Sequence, residues 1–101
     1  MEKIIKTAGP NHQPSDEYYA CRYKVLRQPL GFPVGSERLE DDLASIHTWI
    51  ELADQVIAIA RAHSEDDNAF VIRQMGVDPD FARQGLGAQV LSAIEQAAVE
   101  T

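Results

Sequence analysis

The stretch Met75-Gly76-Val77-Asp78-Pro79-Asp80-Phe81-Ala82-Arg83-Gln84-Gly85-Leu86-Gly87-Ala88 constrains this chain more than any other. It reads as the end of a β-strand, a tight turn with two glycines and the first residues of an amphipathic helix. The first turn of a helix carries backbone N–H groups without intrahelical partners, and the helix dipole adds roughly half a positive charge at the same point. Such a terminus suits a phosphate or a pyrophosphate. Glycine at 85 and 87 admits an anion to the backbone where a Cβ would block it. The amides of Arg83, Gln84, Gly85, Leu86, Gly87 and Ala88 are therefore the candidate anion cradle. A dinucleotide fingerprint would need Gly or Ala three residues after Gly87, where Val90 stands, and no Gly-Lys-Ser/Thr follows for a nucleoside-triphosphate loop.

The pattern on either side places this turn in an α+β chain. Glu2 to Thr7 is a short β-prone run, broken by Gly9-Pro10 and a polar segment. Ser15 or Asp16 caps a helix whose apolar residues, Tyr18, Tyr19, Cys21, Val25 and Leu26, recur at helical spacing. Pro29, Gly31, Pro33 and Gly35 open an irregular segment that ends in an acidic patch, Glu37 to Asp42, with room for one helical turn. Three strands are expected next: Ile46–Leu52 in strict alternation, Gln55–Ala62 as an apolar run buried on both faces, and Ala69–Val77. Ala53-Asp54 is the turn between the first two, and Ser64 to Asn68 the turn before the third. Gly85 to Thr101 is helical, with Leu86, Val90 and Ile94 on its apolar stripe.

Composition narrows the function. At 101 residues the chain is expected to form one small domain, residues 1–101. A formal net charge of −7 argues against general affinity for nucleic acid or for anionic membranes, and favours a cationic co-substrate. Its apolar runs fall short of the 18 or so residues of a membrane span. The single cysteine, Cys21, cannot form an internal disulfide, which fits a reducing cytoplasm. His12, His47 and His63 lack metal-ligand spacing, so no metal is expected.

The element order, with Met75-Gly76-Val77 leading into Phe81-Ala82-Arg83-Gln84-Gly85-Leu86-Gly87-Ala88, resembles the GNAT superfamily of N-acetyltransferases. Their acetyl-coenzyme A signature is Gln/Arg-x-x-Gly-x-Gly/Ala at a strand-to-helix turn. Gly85 and Gly87 fill the two small positions, while Ala82 stands where the family has Gln or Arg. The resemblance implies a mixed, mostly antiparallel four-stranded sheet flanked by helices, the N-terminal part of a GNAT-like domain. It implies acetyl-CoA as co-substrate and transfer of the acetyl group to a primary amine, small-molecule or peptidic. The Arg83–Ala88 turn would hold the pyrophosphate, and main-chain groups of Met75, Gly76 and Val77 would pair with pantetheine and polarise the thioester.

Candidate bases lie on the substrate-side segment: Glu40, Asp41 and His47, with Glu37 and Asp42 as further carboxylates. Each has a plainer reading, a solvated charged loop for the carboxylates and a packed histidine for His47. A complete domain of this superfamily continues past the signature helix, so the chain reads as truncated. Its last strand, Ala69-Phe70-Val71-Ile72, would then be an open apolar edge, which a homodimer could cover. A coenzyme A-binding or dimerisation module without catalysis is the second function class.

Overall fold

The structure is a computed structural model and describes residues 2–66 and 69–100. Four strands, β1 (Ile4–Ala8), β2 (Ile46–Leu52), β3 (Gln55–Asp66) and β4 (Ala69–Val77), pair in chain order, and each neighbouring pair is antiparallel. Helix α1 (Asp16–Arg22) covers one face of this sheet and α2 (Leu86–Glu100) the other. Against α2 pack Ile46 and Ile50 of β2 with Ile57, Ala58, Ala60 and Ala62 of β3, closed by Leu86, Val90 and Ile94. Against α1 pack Val56 and Ile59, with Tyr18, Tyr19 and Cys21 above them. β3 is thus buried on both faces, as its unbroken apolar run implied. Its alternation shifts at Ile57, an extra residue in the ladder between Ile50↔Ala58 and Glu51↔Val56.

Local chemistry explains most of the boundaries. Ser15 caps α1, its Oγ accepting the Tyr18 N–H at 3.2 Å. The helix does not run on to Leu26 in α geometry: Tyr23–Arg27 widens into a π-turn, and Gln28–Leu30 tightens into a 3₁₀ turn around Pro29. The β2–β3 connection is a two-residue hairpin turn with both residues at positive φ, 51° at Ala53 and 67° at Asp54. That is the geometry which Asn-Gly normally supplies, here taken by residues with a Cβ. β3 continues past Ala62, with His63, Ser64 and Asp66 paired to Val71, Phe70 and Ala69. Ser64 to Asp66 are therefore strand where the sequence suggested a turn, and Asp67 and Asn68 lie outside the described residues.

The irregular segment between α1 and β2 contains no helical turn at the acidic patch; reverse turns close instead at Leu39–Asp42, Asp41–Ala44 and Asp42–Ser45. One carboxylate binds this segment to the rest of the protein. Asp42, 2% exposed, accepts Arg22 Nη1 at 2.9 and 3.1 Å, Tyr19 OH at 3.0 Å, Arg61 Nη1 at 3.0 Å and the Leu39 N–H at 2.8 Å. Arg22, itself fully buried, also donates to the Glu37 carbonyl at 2.8 Å and to Tyr18 OH at 3.2 Å. Arg61 closes a second ion pair with Asp41 at 2.8 Å. Buried Asp42 and the exposed carboxylate of Asp41 together balance the two buried arginines, which makes the burial of Arg22 and Arg61 tolerable.

His47 completes the network from β2. Its Nε2 lies 2.7 Å from the Asp42 carbonyl and its Nδ1 2.8 Å from Tyr18 OH. A carbonyl only accepts, so neutral His47 carries its proton on Nε2 and takes the Tyr18 hydroxyl hydrogen at Nδ1. Burial holds its pKa below the ordinary histidine value, against the opposing pull of the Asp42 carbonyl.

Three outcomes are expected. Replacing Ala53-Asp54 by Asn-Gly should stabilise the protein by about 1 kcal/mol in urea unfolding, since both residues relax into φ > 0. Asp42→Ala should cost roughly 3–5 kcal/mol, because it leaves the buried Arg22 guanidinium without a carboxylate, while Arg61 keeps Asp41. Acidification should lower the melting temperature in two stages. For Asp41 the Arg61 guanidinium, and for Asp42 the Leu39 N–H and Arg22 against the upward push of burial, hold the pKa below the usual carboxylate range. Their stabilisation is complete above the unfolded pKa of about 4 and fades below it. The depressed His47 pKa has the same sign: its contribution is full above about pH 6.5 and is lost as pH falls through the lower folded value. His47→Gln should flatten the upper stage and leave the lower one.

Candidate functional site

The two-glycine turn sits where β4 leaves the sheet. Asp78, 1% exposed, anchors that exit. Its N–H donates to the Ile57 carbonyl at 2.8 Å, while its carboxylate accepts Lys24 Nζ at 2.9 and 3.0 Å and the Asp80 N–H at 2.9 Å. Burial pushes the Asp78 pKa up, but Lys24 and the Asp80 amide outweigh it and the net direction is down. A 3₁₀ turn at Pro79–Phe81 follows and drops Phe81 onto the α2-face core.

The chain then turns through left-handed backbone twice, at Arg83 (φ 65°) and Gly85 (φ 76°), before α2 begins. Leu86, 1% exposed, plugs into the core below and so fixes the helix start. The first bond into the helix is Gln89 N–H to the Gly85 carbonyl at 3.1 Å. Among the described residues, the amides of Arg83, Gly85, Leu86, Gly87 and Ala88 donate to no protein acceptor, while that of Gln84 closes the turn at Ala82–Arg83. Arg83, Gln84, Gly85 and Ala88 are exposed. The two glycines have different reasons. Gly85 is required by its φ, whereas a Cβ on Gly87 would meet only Val77 Cγ2, at an ordinary 3.7 Å. Packing therefore does not demand glycine at 87, and the open space above it fits an anion held close to the backbone. The residues present thus suit a diphosphate, with Arg83 on the exposed rim of the turn.

Alongside the turn, β4 is the edge strand of the sheet. Its ladder breaks between Ile59↔Gly76 and Arg61↔Arg73, so that Gln74 and Met75 stand opposite Ala60 alone. Gln74 takes φ 55° at this bulge. The sequence shows no sign of it: glutamine has no preference for positive φ, and only the neighbouring Gly76 hints at an interruption. Gly76 is needed for packing, since a Cβ there would lie 2.5 Å from Val25 Cγ1 of the π-turn.

The remaining candidates fall in different places. Met75, Gly76 and Val77 lie on β4 just before the turn, with Met75 41% exposed. Glu40 is exposed on the irregular segment and forms no ion pair among the described residues. Asp41 is held by Arg61, and His47 is fully buried between Tyr18 and the Asp42 backbone. Of the acidic patch, Glu37 and Asp42 are buried rather than solvated. Cys21, 4% exposed, has its thiol pushed up to about 12 by burial and by Asp78, as befits a core residue rather than a nucleophile. Among the described residues, no cluster of His, Cys, Asp and Glu has the geometry of a metal site. No helix among them is long and apolar enough to cross a membrane.

This arrangement recurs in known proteins. The family model of the GNAT acetyltransferases matches residues 8–101. Among solved structures, an acyl-CoA N-acyltransferase from Pseudomonas aeruginosa superposes with a TM-score of 0.79 at 19% identity, over 96% of this chain and 70% of that one. AAC(6')-Iy in complex with the bisubstrate analogue CoA-S-monomethyl-acetylneamine gives 0.73 at 14% identity, over 99% of this chain and 74% of that one. An aminoglycoside acetyltransferase from an uncultured soil metagenomic sample, in complex with sisomicin, gives 0.69 at 15% identity, over 97% and 70%. At these identities the structural likeness speaks for the fold, while the family match over residues 8–101 speaks for descent. With its glycine turn on the family's strand-to-helix junction, the chain belongs to the GNAT acetyltransferase family.

Proposed function

We propose that this chain binds acetyl-CoA and transfers the acetyl group to a primary amine, as a protein of the cytoplasm. The single observation that carries this reading is the group of five uncommitted amides, Arg83 and Gly85 to Ala88, on an exposed turn that packing does not require to be glycine at 87. In this reading the Arg83–Ala88 amides and the dipole of α2 hold the diphosphate. Main-chain groups of Met75, Gly76 and Val77 line up the pantetheine arm and polarise the thioester carbonyl. Acetyl-CoA supplies the activated acetyl group. The neutral amine attacks the thioester carbon directly, the coenzyme A thiolate leaves, and the amine proton passes to a base.

Of the three candidate bases, Glu40 is the one with an exposed and unpaired carboxylate, so it receives that role. Asp41, held by Arg61, is a weaker base, and His47 is sealed by its hydrogen bonds. The formal charge of −7 favours a cationic acceptor, and the structural neighbours include aminoglycoside acetyltransferases. A peptidic amine has the same chemistry. The exposed apolar residues of β4, Phe70 and Met75, favour a second copy of the chain against this edge, as a homodimer. A module that binds coenzyme A without catalysis is the competing reading, favoured by the complete burial of the candidate base His47.

Coenzyme A at about a hundred times its Kd should stabilise the protein by roughly 2.7 kcal/mol, and Gly87→Glu should abolish the effect while leaving the fold intact. Equal thermal shifts in both would defeat the cradle. With an amine panel, thiol release from acetyl-CoA should appear and fall about 10²–10⁴-fold in Glu40→Gln, with KM for acetyl-CoA unchanged. Binding without thiol release would instead establish the non-catalytic module. Light scattering at micromolar concentration should give twice the mass of 11.2 kDa, and a stable monomer would remove the dimer.

A further inference from the structure

Two irregular features of the backbone, a π-turn and a strand bulge, meet at one point. The π-turn Tyr23–Arg27 places Val25 against Gly76, so closely that a Cβ on Gly76 would lie 2.5 Å from it. Two residues beyond Val25, Arg27 reaches the β4 bulge and donates Nη2 to Gln74 Oε1 at 2.8 Å. Its Nε donates to the Ser36 carbonyl at 3.1 Å, and its Nη1 to the Leu26 carbonyl at 3.3 Å. The residue it grips on β4 is the one at φ 55°, a conformation that L side chains seldom adopt. An ordinary α-helical turn at 23–27 would advance Arg27 by a different angle, so the π geometry is what brings the guanidinium to the bulge.

We infer that Arg27 is a positioning residue: by gripping the Gln74 side chain it holds the left-handed kink of β4, and thereby sets the edge backbone of Met75 and Gly76. The inference rests on the reading of that edge as the bed of the thioester arm. Through Ser36 the same guanidinium also fastens the segment that carries Leu30, Phe32 and Val34, all exposed.

A side chain that holds a kink behaves differently from a plain stabilising contact. Glycine adopts positive φ freely, so Gln74→Gly should keep the kink without Arg27. Arg27→Ala should weaken coenzyme A binding at least tenfold by calorimetry, and should speed amide exchange at Met75 and Gly76 at least tenfold. Gln74→Gly alone should stay within threefold of the parent in both, and Arg27→Ala/Gln74→Gly should return to that level. Arg27→Ala matching the parent in exchange, or a double variant as impaired as Arg27→Ala, would overturn the inference. A parent protein that fails to bind coenzyme A would overturn the functional reading, and amide exchange would then still decide on the role of Arg27.

Discussion

The Asp42 carboxylate is the interaction on which the rest of the structure depends. It gathers two arginines from separate elements, a tyrosine and a backbone amide, inside a protein of 101 residues. The segment between α1 and β2 has no regular structure at the acidic patch and turns several apolar side chains to solvent, so its polar contacts hold it, and this carboxylate makes the most of them. With it, that segment is bound to α1 through Arg22 and to β3 through Arg61. A buried network of this kind stabilises only when every charge is matched, and here two unused Nε atoms, on Arg22 and Arg61, are the residual cost.

The same network determines which groups are left for chemistry. Residues that look alike in sequence, a run of acids followed by a histidine, divide into an interior set and an exposed one. Asp42, Glu37 and His47 are committed to holding the segment in place, Asp41 is half committed, and Glu40 is left open. On the far side of the sheet the logic reverses. The turn into α2 is held from below by Leu86 and from behind by Asp78, which leaves unpaired amides on a turn whose Arg83, Gly85 and Ala88 are exposed. A rigid frame with open donors is what anion recognition requires, since the donors need no rearrangement to bind.

Much of the fold was legible in the residues. The alternation of Ile46–Leu52, the apolar run of β3 and the stripe of Leu86, Val90 and Ile94 each report a periodicity that burial imposes. The glycine turn was legible for a similar reason, because its backbone geometry leaves few residue types to choose from. Where the reading erred, local pattern and long-range pairing disagreed. Ser64 to Asp66 look like a turn by composition, yet they are strand because Phe70 and Ala69 pair with them. The acid patch looked solvated because carboxylates usually are, and nothing nearby in the chain announces Arg22 and Arg61 as partners 20 and 19 residues away.

By itself, then, the sequence determined the succession of elements, the two-sided burial of β3 and the strand-to-helix turn, all of which follow from interactions within a few residues. Only the tertiary structure decided which acids are buried, that β4 kinks at Gln74, and that Arg27 meets it. Those outcomes depend on side chains brought together from distant positions, and short-range periodicity carries no record of such encounters.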